Sequence, residues 1–71
     1  MLFEKLVIAR MRDTTKEVTV TTGIAFGHKI LNINGYKFIE LDNDCVAVEN
    51  DTFNARCSTW EQLEFIYKAV R

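Results

Sequence analysis

Apolar and polar residues alternate along the middle of the chain, and the period changes near its end. Asn34 and Gly35 stand between two apolar-rich runs. Both tolerate the positive φ that a two-residue type I′ turn requires, so they predict a tight hairpin and set its register. Ile33 then faces Tyr36, Leu31 faces Phe38 and Lys29 faces Glu40 on one side. Asn32 with Lys37, Ile30 with Ile39, and His28 with Leu41 pair on the other.

With Asp42, Asn43 and Asp44 as the next loop, Phe38 meets Val48, Ile39 meets Ala47, and Lys37 meets the oppositely charged Glu49. A further turn at Asn50 and Asp51 places Val48 opposite Phe53 and Val46 opposite Ala55, in a strand that ends near Cys57. The sum is a four-stranded antiparallel meander. One face carries Leu31, Ile33, Tyr36, Phe38, Val46, Val48, Phe53 and Ala55 and is expected to be the core face.

Ser58-Thr59-Trp60-Glu61 reads as a capping box that opens a helix from Thr59 to Arg71. At about 100° per residue, Trp60, Leu63, Ile66, Tyr67 and Val70 form one stripe, suited to cover the core face. Early Glu61 and Glu64 and late Lys68 and Arg71 complement the helix dipole, and Glu64 with Lys68 is a favourable i,i+4 pair.

Upstream, Lys16 to Phe26 alternates as a half-buried strand would. Leu2 to Arg12 fits two readings. Val7 and Ile8 favour a strand, whereas Leu2, Phe3, Leu6 and Val7 fit helical spacing. The strand is preferred, with Asp13 to Thr15 as its turn. The expected class is therefore α+β: a single domain over residues 1–71, with an antiparallel meander of five to six strands, open or partly closed into a small barrel, and one C-terminal helix.

Composition bounds the chemistry. A chain of 71 residues has a thin margin of burial over entropy, so oligomerisation would help it. Two cysteines are too few for a disulfide scaffold, and Cys45 and Cys57 are expected on opposite faces of the meander as free thiols. The single His gives no zinc-ligand spacing, and His28 lies two strands from Cys45, too far for a catalytic dyad. Gly23 to Gly27 lacks the spacing and the following Lys of a phosphate loop, and no apolar run approaches membrane-spanning length. The expectation is a cytoplasmic protein without cofactor, metal or enzymatic activity.

A net charge of -1 argues against a general nucleic-acid binder, since such affinity comes from bases that displace counterions. What is left is surface for a partner. The second face of the meander mixes Ile30, Ile39, Leu41, Cys45 and Ala47 with polar residues and invites a cover, either the N-terminal segment or a second chain. Phe65 lies about 150° from the centre of the helical stripe, placed as an aromatic anchor. Glu40, Asp42, Asp44, Glu49 and Asp51 form an acidic stretch free of Lys and Arg, able to meet a basic patch.

The leading expectation is a small protein-interaction module, of the type phages and mobile elements use to bind and block a larger host protein or nucleoprotein complex. Its predicted contacts are Glu40, Asp42, Asp44, Glu49, Asp51 and Phe65. The alternative is a homo-oligomeric nucleic-acid-binding regulator using Lys5, Arg10, Arg12 and Lys16 of the N-terminal region.

Overall fold

The computed structural model describes residues 1–23 and 27–71. Helix α1 (Leu2–Asp13) is followed by strands β1 (Val20–Thr22), β2 (Lys29–Ile33), β3 (Tyr36–Leu41), β4 (Cys45–Glu49) and β5 (Asn54–Cys57), then helix α2 (Trp60–Val70). The strands form one open antiparallel sheet in the order β1-β2-β3-β4-β5, a meander with β1 and β5 at its edges. The sheet does not close into a barrel.

The central register follows the turn chemistry. Leu31 pairs with Phe38, Ile30 with Ile39, and Ile33 with Tyr36 around Asn34 and Gly35, whose φ values are 51° and 87°. Phe38 then pairs with Val48 and Lys37 with Glu49, around a loop in which Asn43 and Asp44 both adopt positive φ.

The third hairpin departs from the two-residue turn by two positions. Val48 pairs with Ala55 and Val46 with Cys57, not with Phe53 and Ala55. Here Asn50 accepts from the amide of Thr52 through its side chain, and its own amide donates to the carbonyl of Phe53. The turn therefore spans four residues. A slip of two preserves facing, so Cys57 joins the core at 1% exposure while Phe53 is left at the rim at 39%. The Phe53 ring stands edge-on to Tyr36, with centroids 6.1 Å apart.

The N-terminal segment is a helix, not the strand preferred from its β-branched residues. Leu2, Phe3 and Leu6 lie on one helical face and are buried against the sheet and α2. Burial of three large side chains outweighs the few tenths of a kcal/mol by which Val7 and Ile8 disfavour a helix. The start of α1 has no cap from Met1; the Asp44 carboxylate instead accepts from the Leu2 amide at 2.7 Å. Arg10 and Arg12 in the last turn suit its dipole.

Of the described residues of the predicted Lys16 to Phe26 strand, Val20–Thr22 pairs with the sheet, and it is exposed. Val18 packs against the core beneath the connection, and Ile24, Ala25 and Phe26 lie outside the described residues.

Helix α2 opens one residue later than the predicted box. Thr59 is its N-cap and accepts from the Gln62 amide, while Gln62 Oε1 accepts from the Ser58 amide at 3.0 Å. The pair is thus Thr59 with Gln62, not Ser58 with Glu61. Leu63 and Tyr67 are buried, Trp60, Ile66 and Val70 flank them, and Glu64 pairs with Lys68 at 3.8 Å. At the far end Asn34 Nδ2 donates to the carbonyls of Val70 and Arg71, satisfying two groups that a helix terminus leaves open.

These contacts orient the layer. Lys5 sits over the Trp60 ring near the helix starts, and Asp13 meets Tyr67 and Arg71 near the helix ends. The two helices therefore run in the same direction, side by side on one face of the sheet. The core of Leu6, Leu31, Ile33, Phe38, Val46, Val48, Leu63 and Tyr67 lies between the layers.

Candidate interaction surfaces

With both helices on one face, the other face of the sheet has no covering layer among the described residues. Its central row runs Thr21, Ile30, Ile39, Ala47, Arg56 across the strands, with Leu41 paired to Cys45 beside it. Ile30, Ile39, Leu41, Cys45 and Ala47 are half-buried. The flanking row, Asn32, Lys37, Glu49 and Asn54, is polar and places a base beside an acid. An antiparallel sheet that faces water on one side ordinarily shows polar residues there. This one shows an apolar centre with a mixed-charge rim.

The predicted acidic contacts do not converge. Asp42 and Asp44 sit in the β3–β4 loop, whereas Glu49 and Asp51 sit at the opposite end of the sheet, where Glu49 pairs with Lys37. Asp44 is engaged in capping α1. Glu40 pairs with Val46 on the helix side, and its carbonyl accepts from His28 Nδ1 at 2.7 Å.

Phe65 stands apart from all of these. It is 78% exposed on α2, and with Ile66, Cys57 and Arg56 it lines a groove of about 640 Å³ between α2 and the open edge of β5. Sequence spacing identified Phe65 as an outlier from the stripe, but the groove depends on the late register of β5, which the Asn50 turn sets.

A second apolar groove lies between α1 and the other edge, lined by Phe3, Val7, Ile8, Val20 and Lys29. Ile8 is 50% exposed there. Reading residues 2–12 as a strand concealed this feature.

Of the N-terminal bases, Lys5, Arg10 and Arg12 lie on α1 and Lys16 lies in the connection after it. Lys5 rests on Trp60 with its ammonium 6.0 Å from the ring centroid, and Arg12 lies with Lys68 and Arg71 beside Asp13 and Glu64. The Asp13 carboxylate accepts from the Tyr67 hydroxyl and from Arg71 at 2.8 Å. The Tyr67 hydrogen bond, with Arg71 second, holds the Asp13 carboxyl below its ordinary pKa. Burial, aided by Asp13, raises the Tyr67 phenol. This cluster locks the helix ends together and has the character of a structural clasp.

Cys45 is half-buried on the outer face and Cys57 is buried on the helix side, both as free thiols. Burial raises the pKa of Cys57, which makes it a poor nucleophile. Among the described residues no group of three or more His, Cys, Asp or Glu is placed to hold a metal ion, and no helix is long and apolar enough to cross a membrane. Comparison with protein-family models, curated proteins and solved structures finds no match.

Proposed function

We propose that this protein is a non-enzymatic interaction module, of the type phages and mobile elements use to block a larger host protein, and that the outer face of its sheet, opposite the helices, engages that partner. One observation carries the reading: the helices share one side of the sheet, so among the described residues the row Ile30, Ile39 and Ala47 has no covering layer. An apolar centre inside a polar rim is the anatomy of a protein-binding patch. The rim carries Lys37 beside Glu49, which suits a protein surface of mixed charge and offers little to a phosphate backbone. A sheet face is rigid, so docking costs little ordering entropy, and occupancy excludes whatever the host protein otherwise holds at that place.

The test is affinity capture from a nuclease-treated bacterial lysate, comparing the native chain with Ile39→Lys. A lysine stem can lie along the sheet while its ammonium reaches water, so the variant should retain the fold, as checked by its urea midpoint. The expected result is a stoichiometric host protein captured by the native chain and lost with the variant. Equal capture by both chains, or capture that disappears with nuclease treatment alone, overturns the reading.

A further inference from the structure

The edge of β5 and the groove beside Phe65 form a self-complementary surface, and we infer that the protein pairs with a second copy of itself through antiparallel β5–β5′ association. This inference is independent of the outer-face reading.

The argument begins at the edge. β5 (Asn54–Cys57) has β4 on one side and nothing on the other among the described residues, and it contains neither Pro nor Lys to discourage pairing. An antiparallel pair of identical edges is related by a two-fold axis perpendicular to the sheet, so both helix layers lie on the same side. Directly opposed residues must then share a face, which permits only registers centred on a residue.

Centring on Arg56 sets like charges directly opposite each other, which is unfavourable. Centring on Ala55 sets Arg56 opposite Asn54′ on the outer face and Cys57 opposite Phe53′ on the helix side. This register uses the whole segment from Phe53 to Cys57.

Three features of the free chain are accounted for together. Phe53, 39% exposed at the rim, is brought beside the partner's groove of Cys57, Phe65 and Ile66. Phe65 is the central residue of α2 (Trp60–Val70), and α2 runs back along β5, so Phe65 and Phe65′ approach across the axis. Arg56, which makes no ion pair among the described residues, enters a row that reads Lys37, Glu49, Asn54, Arg56′. Glu49 then has Lys37 beside it on one side and, beyond Asn54, Arg56′ on the other, two strand spacings or roughly 10 Å away and within reach of a long guanidinium side chain. Charge complementarity and aromatic burial therefore select the same register.

The experiment is the solution mass across concentration by sedimentation equilibrium, for the native chain and Phe65→Asp, together with oxidative cross-linking of Ala55→Cys and Arg56→Cys in a Cys45→Ser background. The native chain should approach twice its 8.2 kDa mass. Phe65→Asp, which alters an exposed side chain and should leave the far-ultraviolet circular dichroism of the fold unchanged, should weaken association at least tenfold. Ala55→Cys should form a covalent dimer readily, because its sulfur atoms meet at the axis, and Arg56→Cys should not. A native chain that stays monomeric to millimolar concentration, a dimer indifferent to Phe65→Asp, or preferential cross-linking from position 56 would overturn the inference.

Discussion

Leu6 and Ile8 provide a direct test of the helix layer. In a strand they would share a face; in α1 they are two residues apart, about 200° around the axis. The structure buries Leu6 to 0% exposure in the core and leaves Ile8 at 50%. Replacing a fully buried Leu with Ala costs about 2–5 kcal/mol, the transfer term plus the residual cavity. For a chain of 71 residues, total stability at roughly 0.05–0.15 kcal/mol per residue is about 4–11 kcal/mol. Leu6→Ala should thus remove a large fraction of it and lower Tm by ~10 °C or more. Ile8→Ala removes partly hydrated surface and exchanges a β-branched residue for the best helix former, so its net cost should be about 1 kcal/mol or less. Urea titration followed by Trp60 fluorescence reports both, because Trp60 sits in the helix layer beside Lys5. Equal losses for the two variants would refute the helical assignment, as would a larger loss at Ile8.

Removing the carboxylate with Asp44→Ala should cost ~1 kcal/mol by leaving the first turn of α1 uncapped, and urea unfolding would measure it. Because the Asp13 carboxyl is held below its ordinary pKa, its contribution is complete above the usual carboxylate range and is lost as pH falls through the lowered folded value. Asp13→Asn should therefore narrow its stability gap from the native chain as pH falls; a gap independent of pH would contradict the clasp. In the folded protein a thiol reagent should modify half-buried Cys45 well before buried Cys57, and mass mapping that showed the reverse order would be inconsistent with the β5 register.

The legible parts of the fold were those with local chemical cause. Asn34 and Gly35 specify their hairpin because few other residues accept both turn conformations, and the Lys37–Glu49 pairing follows from the next loop. The stripe from Trp60 to Val70 was legible because 3.6-residue spacing is strong over eleven residues. The Asn50 turn was misplaced by two positions because a side-chain bond to Thr52 lengthens it, and Asn-Asp alone does not distinguish the two geometries.

For α1 the deciding groups are distant in sequence. Asp44 caps it across 42 residues, and its buried face is completed by α2 and the sheet. Short apolar runs carry both periods, so tertiary burial decided the outcome. The outer face was legible as a list of residues, but that no described element covers it followed only once α1 took the helix side. Phe65 was visible as an anomaly of spacing; its groove required the true register of β5.

The most direct test of the central claim is photocrosslinking from the outer face. A photoreactive phenylalanine analogue placed at Ala47, near the centre of the apolar row, should yield one discrete adduct with a host protein in a bacterial lysate. The same group at Met11, exposed on the opposite side of the molecule, should not. A specific adduct from position 47 alone is the predicted result. No adduct from position 47, an adduct there whose mass is only that of two copies of this chain, or a host adduct formed equally from position 11 would contradict it.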